Sequence, residues 1–297
     1  MAHINNFTYG ALNPVLAYLV SCLGCFLGLR CTTRARAALG RARASWLLLA
    51  TLSIATTGIW VMHFVAMLGF TIQGQSIRYS VPITILSMVV AVVVVGIGTF
   101  IVGFSRAGLL PRLTGGTIIG IGVASMHYIG MAAVRVQDKL TYSPVIVAAS
   151  VVIAIIAGTA ALWAALRLDT IWSTIVAALI MGVAVSGMHY TAMAALRVQN
   201  SPDLFVNTTG TASAVAFLLP LIIGISSVGF ILSAVISLSP TAAEMVAETR
   251  LMQGLNMAPQ YDPAAPVVPA QRRQPAGLDN EAGSLFRDNR GSHRRDD

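Results

Sequence analysis

Three short segments carry the residue types of a metal site: Met62-His63-Phe64-Val65-Ala66-Met67, Met126-His127-Tyr128-Ile129-Gly130-Met131 and Met188-His189-Tyr190-Thr191-Ala192-Met193. On a helix, each histidine and the methionine four residues on share one face. The methionine before the histidine is rotated by about 100° and flanks the site. Neutral imidazole with thioether sulfur is a donor set for a soft or borderline metal, and the thioether favours Cu(I). His63, His127 and His189 are the candidate primary ligands. Met67, Met131 and Met193 are candidate soft secondary ligands, and Met62, Met126 and Met188 complete or flank the site. Six of the 12 methionines fall in these three segments, which a chance of composition does not explain. Two other readings stay open: histidines that hydrogen-bond neighbouring helices together, and histidines that handle a proton or a solute.

The elements that must position these residues are membrane helices. The 297 residues are 56% hydrophobic and 10% charged, with a mean hydropathy of +0.76. Soluble domains carry about a quarter charged residues, so a water-soluble globule is excluded. A bilayer core about 30 Å thick needs about 20 apolar residues per helix. Seven uncharged stretches meet that length, at about 11–29, 46–70, 81–104, 113–134, 144–166, 174–196 and 215–238. Pro82 and Pro144 fall at helix starts, where a missing N–H costs least, and Pro220 predicts a kink in the last span. The fold class expected is an all-α integral membrane protein: seven transmembrane helices, built from three helical-hairpin repeats (about 46–104, 113–166 and 174–238) plus one N-terminal helix. Residues 1–10 form an outer segment, 11–240 the membrane domain, and 241–297 a cytoplasmic, largely disordered tail.

Charge sets the expected orientation. Arg30, Arg34, Arg36, Arg41, Arg43, Arg106, Arg112 and Arg167 lie in the loops on one side, with Asp169. The other side has Arg78, Arg135, Lys139 and Arg197, with Asp138 and Asp203. Basic loops stay in the cytoplasm, so the N-terminus is expected outside and the C-terminus inside, in a multi-pass cell-membrane protein. All three histidines then lie at one level in the outer leaflet, on helices two, four and six. The Val- and Ala-rich odd helices are expected to face lipid. The net charge of +8 belongs to these loops, so a nucleic-acid partner is dropped.

Other signals carry less. Residues 1–15 lack the basic region of a signal peptide, so the first span is expected to be retained. Cys22, Cys25 and Cys31 are too few and too local for a disulfide scaffold, and read as small buried residues. Asn207-Thr208-Thr209 matches a glycosylation sequon. Gly58, Gly122, Gly182 and Gly187 suit close helix packing. After Ser239 a short stretch, TAAEMVAETRLMQGL, could continue the last helix; beyond it Pro259, Pro263, Pro266, Pro269 and Pro275 with mixed charge read as disorder. The spans show no phosphate-binding loop, nucleophile elbow or acid–base pair, so the protein is expected not to be an enzyme.

At the three motifs the sequence resembles the MHYT family, over roughly residues 46–240. Met188-His189-Tyr190-Thr191 is the literal motif; the second copy has Ile129 in place of Thr, and the first has Phe64 and Val65. The resemblance implies an integral-membrane sensor that binds copper through the motif's Met, His and Tyr and senses a diatomic gas such as O2, CO or NO. Relatives of this family often join the unit to cyclic-dinucleotide or histidine-kinase domains. No such domain is recognised here, so a separate cytoplasmic signalling partner is expected. The alternative is a membrane transporter of copper or another small solute, against which stands the single level of the motifs.

Overall fold

The computed structural model describes residues 4–73, 75–105, 108–167, 170–199, 210–238 and 249–252. Arg106, Asp169, Asp203, the Asn207 sequon and almost all of the tail after residue 240 lie outside the described residues. Among the described residues, seven helices are long and apolar enough to cross a membrane. Helix one is Leu12–Ala37, helix two Gly40–Met67, helix three Val81–Phe104, helix four Leu109–Ala132, helix five Pro144–Arg167 and helix six Ile171–Ala194. Helix seven starts as a π-helical turn, Ala214–Leu218, and continues as Leu219–Leu238. Pro220 follows that wide turn directly, so the irregularity expected from the proline falls in the first turns of the helix rather than its interior.

Two expectations change. Arg30, Arg34 and Arg36 do not lie in a loop: helix one runs through them to Ala37, and Gly40, at φ +53°, turns the chain into helix two. The guanidinium groups have work within the fold. Arg34 donates to the Ile236 carbonyl at 2.6 Å, near the C-terminus of helix seven, and Arg36 to the Ala165 carbonyl of helix five at 3.3 Å. Cations near helix C-termini are favoured by the unpaired carbonyls there.

The second change concerns helix one itself. Helices three, five and seven are 33%, 22% and 17% buried, as outer helices would be, but helix one is 50% buried, while the motif-bearing helix six is buried no more than helix three, at 33%. A stripe of small side chains, Ala17, Ser21, Gly24, Gly28 and Thr32, lets it pack closely against helix two. A Cβ on Gly24 would overlap the Gly58 backbone nitrogen and stand 2.8 Å from the Ser53 carbonyl. Ser21 donates to the Gly58 carbonyl at 2.8 Å across the same contact. Helix two answers with a π-helical stretch, Ser53–Val61, immediately before His63; such wide turns recur at functional sites.

Short strands, not expected from the sequence, cover the motif end of the bundle. Ile4–Asn5 pairs with Thr71–Ile72, Arg78–Ser80 pairs with both Val134–Arg135 and Thr211–Ser213, and Lys139–Tyr142 pairs with Leu196–Gln199, all antiparallel. The repeat is visible in their hydrogen bonds. Ser80 N–H donates to the Ala133 carbonyl at 2.8 Å, and Ser143 N–H to the Ala195 carbonyl at 2.9 Å, each tying the start of one hairpin's return helix to the end of the next motif helix.

Candidate metal centre

Helices four and six place their histidines identically, at the nineteenth of 24 residues, and helix two ends four residues after His63. Each histidine therefore sits about one turn below the strand cap. The three rings meet. Their centroids are 4.8 Å apart for His63 and His127, 5.0 Å for His63 and His189, and 5.1 Å for His127 and His189, with interplanar angles of 73–78°. Each histidine is 1% exposed. One nitrogen from each lies within 4.8 Å of the other two.

The hydrogen bonding inside the triad is incomplete. His63 Nδ1 and His189 Nδ1 are 3.0 Å apart, so one ring donates and the other accepts. His63 Nε2 and both nitrogens of His127 are buried without a hydrogen-bond partner. Buried polar atoms left unpaired cost about 1–3 kcal/mol each, a cost that an additional ligand would relieve. A metal–imidazole bond of about 2.0–2.1 Å sets ligating nitrogens about 3.5 Å apart. The 3.0 Å pair would open slightly and the widest separation would close by about 1.3 Å. The residues present thus fit a small ion. None of the seven spans contains Asp or Glu, so three neutral rings suit a singly charged soft ion better than a divalent one, whose charge would go uncompensated in an apolar interior.

All six motif methionines are buried in the apolar core that encloses the triad. Each histidine also meets the ring that follows it edge-on: Phe64 at 4.6 Å, Tyr128 at 5.0 Å and Tyr190 at 4.9 Å between centroids. A second layer of aromatics lies outside these: Tyr79 against Phe64, Tyr142 against Tyr128, and Phe7 against Tyr190. None of these three outer rings belongs to a Met-His motif. Tyr79 and Tyr142 are 63 residues apart, close to the histidine spacing, so a search for repeats beyond the motifs finds them; Phe7 stands outside the repeat and has no such signal. Burial pushes the Tyr142 phenol, with Tyr128 beside it, up to about 12, and burial also raises Tyr79. Both therefore stay neutral at any ordinary pH.

Gly130 also shapes the site. It occupies the place that Ala66 and Ala192 hold in the other copies, and a Cβ there would stand 2.7 Å from His63 Nε2. Glycine at this position of the second motif helix lets the His63 imidazole lie against its backbone. Among the glycines expected to aid packing, Gly58, Gly122 and Gly182 lie against neighbouring helices, while Gly187 has nothing within 4 Å of a Cβ. The three cysteines are buried and free.

Fold and site together define a seven-helix membrane protein of threefold internal repeat, with one histidine from each repeat meeting in a shared centre. Three segments, residues 57–116, 120–178 and 182–248, match the MHYT family, described as a bacterial signalling protein N-terminal repeat, and the chain belongs to that family. Among curated relatives it is 38% identical over 199 residues to the cyclic di-GMP phosphodiesterase NbdA of Pseudomonas aeruginosa, covering 65% of this chain and 25% of that protein. It is likewise 38% identical over 196 residues to the bifunctional diguanylate cyclase/cyclic di-GMP phosphodiesterase MucR of the same organism, covering 63% and 28%. The signaling protein YkoW of Bacillus subtilis is 30% identical over 195 residues, covering 63% and 24%. The chain spans about a quarter of the length of these relatives. No solved structure matches.

These relatives support a membrane sensor or signalling role. They also correct the expectation that the protein is not an enzyme, because two of them are named as enzymes of cyclic di-GMP turnover. The matched region is confined to the membrane repeats, about a quarter of those proteins, so the activity they are named for lies outside what the chains share.

Proposed function

We propose that the protein is a membrane sensor in which His63, His127 and His189 hold one Cu(I) ion beneath the strand cap, with the motif methionines as the soft surroundings. The observation that carries this reading is the convergence of three buried imidazoles, with ring nitrogens left unpartnered, in spans free of carboxylates. When bound, such an ion supplies a coordination position for a diatomic ligand such as O2, CO or NO. The chain's own part is mechanical. His63 and His189 share a hydrogen bond across helices two and six, and a nitrogen that gives its lone pair to a metal no longer accepts that bond. Ligation through either Nδ1 would therefore compete with the interhelical hydrogen bond and couple the centre to the relative position of two membrane helices.

The arginine asymmetry supports an outward-facing motif end and a cytoplasmic C-terminus. Output then passes at the opposite end, to a cytoplasmic partner or to a catalytic segment of the kind named in NbdA and MucR.

Elemental analysis of the detergent-purified protein tests the metal. One copper per chain, lost in the triple variant H63Q/H127Q/H189Q, is the expected result; copper content indifferent to the three substitutions refutes it. Spectra that change on adding CO or NO support gas sensing, whereas copper flux in proteoliposomes supports the transport alternative.

A further inference from the structure

The residues four positions before the three histidines are Ile59, Val123 and Val185. On a helix these lie on the histidine face, one turn deeper, and all three line a single cavity of about 30 Å³. Met188, beside His189, joins them, and so does Cys25 of helix one. The cavity thus sits directly beneath the imidazole triad, in the middle of the bundle.

Its lining decides what it can hold. Every lining residue is aliphatic, glycine, methionine or cysteine. An ordered water needs about two to four polar partners, and apolar cavities without them stay dry. At about 10–15 Å³ per water-sized sphere, the space corresponds to roughly two such spheres, the size of a molecule of two heavy atoms or of one xenon atom.

The approach is also apolar. Ala157 and Ala161 of helix five and Ala184 of helix six line the cavity and are half-buried. The neighbouring Ile156, Ile180 and Val183 on the same helices are more than 60% exposed, as lipid-facing side chains are. Alanines between larger side chains leave a narrow mouth on the bilayer side, where small apolar solutes are more concentrated than in water.

We propose that this cavity is a docking site for one small, neutral, apolar molecule, entering from the bilayer between helices five and six and resting one helical turn below the histidines. The site needs no metal and is distinct from the imidazole centre.

Xenon is the probe. Crystals of the full chain pressurised with xenon are expected to show one atom bounded by Ile59, Val123 and Val185, and the same crystals of A157L, which fills the mouth, to lose it. Copper content measured on both proteins is expected to be equal, so the docking site and the metal reading fail separately. Water or no density in the wild-type cavity overturns the proposal, as does xenon retained in A157L with unchanged occupancy.

Discussion

The substitution Gly130→Ala isolates the geometry of the centre from its chemistry, because it removes none of the candidate ligands. The new Cβ would stand 2.7 Å from His63 Nε2 and 3.1 Å from His63 Cδ2. An ordinary contact starts near 3.4 Å, so the His63 ring must retreat by about 0.7 Å. That exceeds the tolerance of about 0.5 Å within which a functional constellation must be held. Stability changes much less. Overpacking a core costs about 1–3 kcal/mol, whereas replacing a helical glycine by alanine returns about 1 kcal/mol, leaving a net loss of roughly 0–2 kcal/mol. Substitutions that reorient a metal ligand typically weaken affinity about 10–100-fold. Copper titration against a competing chelator is therefore expected to show at least a tenfold loss for G130A, alongside a fall in melting temperature of at most roughly 8 °C in detergent. Ala192→Gly serves as the control, since it opens space without displacing a ring. G130A binding copper as tightly as wild type would refute the role assigned to Gly130.

Two further outcomes follow from particular contacts. Gly24→Ala sets a Cβ against the Gly58 backbone, where no flexible side chain can yield; the cost is expected at or above the upper end of about 1–3 kcal/mol, read as lost thermal stability, and a wild-type melting curve would contradict the close packing of helices one and two. The motif tyrosines separate cleanly. Tyr128 hydrogen-bonds Ser150 at 2.8 Å, so Y128F is expected to lose about 1 kcal/mol. The Tyr190 hydroxyl is buried without a partner, so Y190F is expected to be neutral or mildly stabilising, and an equal fall in melting temperature for both variants would show that Tyr190 has a partner after all.

Much of the membrane architecture was legible because hydropathy is a local property. Helices three and five begin and end within a residue of the expected spans, since nothing beyond their own composition sets them. The same spans placed each histidine near the end of a helix, and the four-residue spacing put its partner methionine on the same face. The first loop was not legible: arginines favour helix as readily as loop, and what keeps Arg34 and Arg36 helical is carbonyls on helices seven and five, more than 120 residues away in the chain.

The sequence alone thus determined the number of spans, the threefold repeat and which side chains have ligand chemistry, since each follows from neighbours along one helix. Only the tertiary structure decided that the three rings meet, because that depends on how each helix is rotated about its axis. That rotation is fixed by distant partners: the small-residue face of helix one against Gly58, Gly130 against His63, and strands that bind the end of one repeat to the start of another.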